Sequence, residues 1–314
     1  MSSTGMSSRV DNLPFIFKIS TTDMVSPIVR VNPWELHIRD PHFYETIYSQ
    51  DKRDKAFSHL RWTDLLGSAF ATVDHDLHRI RRAAQNPYFS KRQILNFSPY
   101  IQSRIDKLVG RLSNEYSNRK KILSLSQTYS SFSCDIVMEY CFAKGHDFLG
   151  SPDFFSPFPE ALRDFQGTVH VLTHFPWILP VLKALPYSIL PPGVLAIANF
   201  KTEIETQIQQ LIDDRSRRCK DTTHPIVFQE LLDSDLPQED KSLGRLRNEG
   251  VVLVIAGLDT VRATLEIGTF HLLQQPHIMQ KLREELLTVY PDPGDPPSLP
   301  VLEQLPYLTA VINE

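Results

Sequence analysis

Ala256, Gly257, Asp259 and Thr260 are the residues of this 314-residue chain best placed to do chemistry, because they interrupt its most apolar helical stretch, VVLVIAGLDTVRATLEIG. A carboxyl beside a hydroxyl can pass protons to a group held next to it. The small residues before them remove bulk, so that a flat cofactor and a diatomic ligand could lie against the helix. Glycine, a buried acid and a buried hydroxyl each weaken a helix interior. Departures from local rules inside a core helix are where function concentrates. A purely structural arrangement is also open: Asp259 can pair with Arg262 one turn on, and Thr260 can bond back to the carbonyl of Ala256.

A second cluster lies in DHDLHRIRRAAQNPYFS, Asp74 to Ser90. His78 and Arg82 are four residues apart and share a helix face, where the pair could grip a carboxylate through charge-assisted hydrogen bonds. The plainer reading is a solvated basic turn, since Arg79, Arg81 and Arg82 crowd together. The three cysteines, Cys134, Cys141 and Cys219, form no CxxC or Cys/His cluster, so neither zinc nor a disulfide scaffold is indicated. Cys134 and Cys141 share one face of an expected helix and read as buried thiols.

These residues need a scaffold, and the chain reads as mainly α with a small β element. IVRVNPWELHI, residues 28–38, reads as a strand pair turning at Asn32-Pro33, and Asp40-Pro41 as a helix start. Helical periodicity follows over 90–114, with a break expected near Pro99. Further helices are expected over 127–142 and 197–218. The strongest helix runs from Leu243 to Gln275 without a proline, roughly 50 Å at about 1.5 Å per residue. Its centre is apolar on all sides from Val251 to Leu258, which predicts burial all round. Residues 169–200 are apolar but cut by five prolines, Pro176, Pro180, Pro186, Pro191 and Pro192. That segment should form short helical pieces, either packed in a core or dipping into a membrane interface.

Composition narrows the partners. The chain is 41% hydrophobic and 22% charged, an ordinary globular balance, with 33 Lys and Arg against 37 Asp and Glu. No basic excess is available for a nucleic-acid backbone. Residues 1–26 begin with a polar stretch that has no hydrophobic run, so the segment reads as disordered rather than as a signal peptide or membrane anchor.

Ala256-Gly257-Leu258-Asp259-Thr260 resembles the oxygen-activating motif in the long central helix of the cytochrome P-450 monooxygenases. Segments in the matching order support the resemblance. Asp74 to Ser90 is similar to the family's haem-propionate helix, with His78 where tryptophan is frequent and Arg82 four residues on. LLQQPHIMQKLREEL resembles the helix after the central one, and LEQLPYLTAVINE the start of the next, with Glu314 as the glutamate of Glu-x-x-Arg. The front end, PIVRVNPWELHIRDPHFYETIY, resembles fungal members of secondary metabolism, the trichodiene-oxygenase type above all. The likeness covers nearly all of Pro27 to Glu314.

The resemblance implies an incomplete P-450 fold, with residues 27–314 as a single domain lacking the C-terminal haem-thiolate region. It implies haem as cofactor, held by His78 and Arg82 at its propionates and by Ala256 and Gly257 as distal wall. Asp259 and Thr260 would deliver protons. The implied reaction is hydroxylation or epoxidation of a hydrophobic secondary metabolite of terpenoid type, with electrons from an NADPH-dependent reductase. The implied place is the cytoplasm or the surface of the endoplasmic reticulum, with peripheral contact through 169–200. None of the three cysteines matches the axial ligand, whose thiolate favours O–O cleavage. The chain as given is therefore expected to be inactive and poorly stable, with an apolar face exposed. A non-catalytic remnant and a helical lipophile-binding protein remain alternatives.

Overall fold

In the computed structural model, residues 28–49, 51–117, 121–142, 145–214, 226–292 and 294–314 are described. The expected disorder of residues 1–26 and the position of Cys219 lie outside them. The chain packs as two units, the first ending at Arg53 and the second running from Asp54 to Glu314.

In the first unit, β1 (Ile28–Asn32) and β2 (Glu35–Ile38) pair antiparallel, with Ile28 opposite Ile38 and an irregularity between Arg30 and Asn32. The turn forms where Asn32-Pro33 predicts it. Asn32 Oδ1 accepts from the Trp34 N–H at 2.9 Å, a side chain standing in for a backbone turn. The Asp40 carboxylate accepts from the His42 N–H at 2.9 Å, and α1 (Phe43–Ile47) follows directly.

The second unit is helical: α2 (His75–Ala83), α3 (Lys91–Arg111), α4 (Leu125–Phe142), α5 (Pro157–Gly167), α6 (Val169–His174), α7 (Ile178–Ala184), α8 (Pro192–Asp214), α9 (Val227–Asp233), α10 (Leu243–Gln274), α11 (Pro276–Val289), α12 (Leu299–Leu302) and α13 (Pro306–Asn313). Its core lies where α4, α8 and α9 meet the first half of α10. There Met138, Ile204, Ile208, Phe228, Leu231 and Leu246 are fully enclosed. Cys134 and Cys141 sit in the same core, and burial pushes both thiols up, that of Cys141 to about 12. They are inert packing groups. Gly250 allows this convergence. A Cβ there would lie 2.8 Å from Ile204 Cγ2 and 3.0 Å from Phe142 Cζ.

Two expectations change. α3 runs unbroken through Pro99. Its buried Phe97 packs on Tyr100 and on Tyr140 of α4, with ring centroids 5.0 and 4.8 Å apart, and this tertiary packing outweighs the missing N–H. α10, in turn, is not buried all round. Val251, Val254 and Leu258 are enclosed, but Ala256, Thr260 and Thr264 are exposed on the opposite face, as are Ile267 and Phe270 beyond them. Among the described residues the neighbouring helices cover only one side there.

The proline-rich segment breaks as expected into α6, α7 and a 3-10 turn at Tyr187–Ile189 before α8 begins. α8 starts at Pro192, five residues ahead of the predicted Ile197, because proline suits a first helical turn. α11 and α13 are joined by Glu285, whose two carboxylate oxygens accept from the N–H groups of Tyr307 and Leu308 at 2.9 and 2.8 Å. No helix among the described residues is long and apolar enough to cross a membrane.

Candidate active site

Two adjoining cavities lie against the open face of α10. The smaller, about 310 Å³, is walled by Phe70, Phe89, Val252 and Leu253 and rimmed by Lys55, His78, Arg82 and Gln85. α2 brings His78 and Arg82 there. Its N-terminus is fixed by Asp74, whose carboxylate accepts from the Leu77 N–H at 2.7 Å. Two of the crowded arginines, Arg81 and Arg82, separate in role. Arg81 turns inward, donating to Asp240 Oδ1 at 2.6 Å and to Thr72 Oγ1 at 2.9 Å. Arg82 faces the cavity with a guanidinium 5.8 Å from the Phe89 ring and one long contact, 3.5 Å, to Gln85 Oε1.

The charge at this rim is unbalanced toward anions. Burial, then Lys55, His75 and Arg82, holds the His78 imidazole below its ordinary range. The Lys55 ammonium is also lowered, by burial, although the Glu249 carboxylate opposes this. That carboxylate forms part of the floor but is already engaged, by Arg245 at 2.7 Å and by the Ala69 N–H at 2.9 Å. Gln85 Nε2 is buried with no acceptor. A buried donor without a partner is costly, and an acceptor entering the cavity would relieve it. An apolar slot edged by cationic and donor groups suits a flat apolar ligand that carries carboxylates.

The larger cavity, about 450 Å³, is lined by α5, α7, α8 and α10, with Ala256, Ile255 and Val251 forming the α10 side. It shares Phe70 and Val252 with the smaller one. Its size falls within the range of ordinary small-molecule sites, about 300–1,000 Å³. The lining is mostly aliphatic and aromatic, and its charged members are Asp64, Lys183 and Lys201.

The acid and hydroxyl of α10 take different partners. Asp259 Oδ1 accepts from Arg262 Nε at 2.9 Å, and its Oδ2 accepts from Gln166 Nε2 on α5 at 3.1 Å. Thr260 Oγ1 donates to the Ala256 carbonyl at 2.7 Å and lies on the exposed face. The pairing with Arg262 and the back-bond to Ala256 are thus both present, and Gln166 additionally ties Asp259 to the lining of the larger cavity. Ala256 faces that cavity. Gly257 is set against α4, where a Cβ would meet Val137 Cγ2 at 3.0 Å. Lys55, Gln85, Asp64, Gln166, Lys183 and Lys201 carry no local motif. The fold gathers them from distant positions; Gln85 lies within the singled-out 74–90 segment, Lys183 within the proline-cut 169–200 segment and Lys201 in the expected helix over 197–218, but none was marked there as a site residue.

Comparison with known proteins accords with this geometry. The cytochrome P-450 family model matches residues 36–314. The chain is 38% identical to cytochrome P-450 monooxygenase orf4 of Eupenicillium brefeldianum over 298 residues, which is 92% of this chain and 58% of that protein. It is 38% identical to monooxygenase tpcC of Cochliobolus heterostrophus over 96% of this chain and 58% of the relative. Against monooxygenase TRI4 of Fusarium sporotrichioides it is 36% identical over 93% of this chain and 56% of the relative. The chain belongs to the cytochrome P-450 family, and its relatives here are fungal monooxygenases. It spans a little over half the length of these relatives. Haem is the cofactor of this family.

Proposed function

We propose that this chain supplies the propionate grip, distal wall and substrate cavity of a fungal monooxygenase that hydroxylates or epoxidises a hydrophobic secondary metabolite. The observation that carries this is the pair of adjoining cavities on the open face of α10, one rimmed by cations and the other apolar. The cationic rim suits the carboxylates of haem: Arg82 and His78 would hold its propionates, with Lys55 and Gln85 beside them. Bound haem would supply oxygen activation. The resemblance would make Ala256 and Gly257 the distal wall; Ala256 lines the adjoining larger cavity, while Gly257 lets α10 approach Val137 of α4 and so seats that wall. Asp259, linked through Gln166 to the substrate cavity, and Thr260 on the exposed face would relay protons. Electrons would come from an NADPH-dependent reductase.

The terpenoid class rests on the front-end resemblance to fungal members of the trichodiene-oxygenase type. The match over 36–314 supports reading residues 27–314 as one domain. The exposed Phe175, Trp177, Val181, Tyr187 and Ile189 support peripheral contact of 169–200 with the endoplasmic reticulum membrane.

Cys134 and Cys141 are sealed in α4, and no cysteine here matches the axial ligand, so this stretch by itself would lack monooxygenase activity. Loading it with haem and recording the reduced, carbon monoxide-bound difference spectrum tests the reading. Haem uptake without a thiolate-type band is expected. A thiolate band would overturn the assignment of inactivity, and failure to take up haem would overturn the propionate grip.

A further inference from the structure

At the rim of the larger cavity one carboxylate holds two ammonium groups. Asp64 Oδ2 accepts from Lys201 Nζ of α8 at 2.9 Å, and Asp64 Oδ1 accepts from Lys183 Nζ of α7. All three side chains line the cavity and are its only charged lining groups among the described residues, which leaves a net charge of +1 on the otherwise apolar lining. Lys201 is only 21% exposed, so part of that unbalanced charge is withdrawn from water, which is unfavourable without a further anion. Each ammonium has three donors, and the Asp64 contact uses one on each lysine. Asp64 also sits in the left-handed region, φ 53, an uncommon backbone state for a residue other than glycine. Such strain persists where the surrounding structure holds it and is concentrated at ligand clamps. Ala256 on α10 lines the same chamber.

We infer that the hydrophobic substrate carries one carboxylate, seated between Lys183 and Lys201, so that its apolar remainder reaches Ala256. This rests on the cavity assignment above and sharpens the substrate class to a lipophilic monocarboxylic acid. A single negative charge matches the excess of +1. A diphosphate would bring more charge than the two lysines beside Asp64 can balance. The remaining donors of both lysines would bind the acid while Asp64 stays in place.

The test is a head-group series on one hydrocarbon tail: farnesoic acid, farnesol and farnesyl diphosphate. Binding to this chain near neutral pH is read by the fluorescence of Trp62, which lines the cavity, with the exposed Trp34 and Trp177 replaced by phenylalanine. The acid is expected to bind about tenfold more tightly than the alcohol, as charge-assisted hydrogen bonds imply. Lys201→Gln and the more exposed Lys183→Gln should each reduce that preference. Asp64→Asn, which suits the left-handed backbone equally well, should enlarge it. Equal binding of acid and alcohol, or tighter binding of the diphosphate than of the acid, overturns the inference and leaves the lipophile cavity standing. The same holds if the three substitutions shift acid and alcohol alike, as a purely structural latch would. If no member of the series binds, the cavity assignment itself fails together with this inference.

Discussion

Replacing Gly250 by alanine tests how α10 is seated, because helix propensity and packing there oppose each other. In an open helix position the change stabilises by about 0.8–1.0 kcal/mol. At Gly250 the new methyl would sit 2.8 Å from Ile204 Cγ2, 3.0 Å from Phe142 Cζ and 3.3 Å from Phe228 Cζ. None of the three neighbours has room to retreat. Ile204 and Phe228 are 0% exposed and Phe142 is 4% exposed, and the two rings stack with centroids 4.8 Å apart and an interplanar angle of 4°. Overpacking of this kind costs about 1–3 kcal/mol, and three fixed neighbours place it at the upper end. The net expectation is a loss of about 1–2 kcal/mol. Gly244 and Gly268, on the same helix, have nothing within 4 Å of a built Cβ. Alanine at either should raise stability by up to about 1 kcal/mol. Gly250→Ala and Gly244→Ala should therefore differ by about 2–3 kcal/mol in opposite directions. Urea unfolding followed by circular dichroism would measure it. A Gly250→Ala protein as stable as Gly244→Ala would refute the convergence of α4, α8 and α9 on α10.

Other perturbations follow from the same geometry. Glu249→Ala would leave Arg245, whose side chain is 5% exposed, without its carboxylate, and should cost about 3–5 kcal/mol in the same unfolding assay. A loss below 1 kcal/mol, roughly the value of a surface pair, would mean that the pair is solvated. His78 should titrate below about 6.5, the ordinary value, because burial and the cations beside it disfavour its charged form. Its contribution to stability is then neutral above that pH and becomes unfavourable as pH falls through the folded value. Proton NMR of the imidazole, assigned with His78→Gln, would check this. Adding a dicarboxylate ligand should raise the midpoint, and an unmoved midpoint would remove His78 from the anion site.

Legibility differed by kind of signal. α10 was readable nearly to the residue, Leu243–Gln275 expected against Leu243–Gln274 observed, because proline at 276 and uninterrupted helix formers are local determinants. The strand pair around Asn32-Pro33 was readable for the same reason. Continuity through Pro99 was not, since ring packing by Phe97 and Tyr140 is tertiary. An exposed apolar face was expected from the resemblance, but that it falls on α10 was not legible, because an apolar run does not say which neighbours pack against it. In the site, Arg82 and His78 stood on one helix face and could be paired from spacing. Asp64 could not be joined to Lys183 and Lys201, which lie 119 and 137 residues away, without the fold that closes the cavity.

The central claim of the proposed function is that Lys55, His78, Arg82 and Gln85 form an anion-binding rim that would hold the haem propionates. Titrating this chain with haem and with its dimethyl ester, which lacks the propionate charges, tests it most directly. The account predicts that haem binds about tenfold or more tightly than the ester, as loss of charge-assisted hydrogen bonds implies, and that Arg82→Ala shrinks the difference. Equal binding of haem and ester, or a preference untouched by Arg82→Ala, would contradict it.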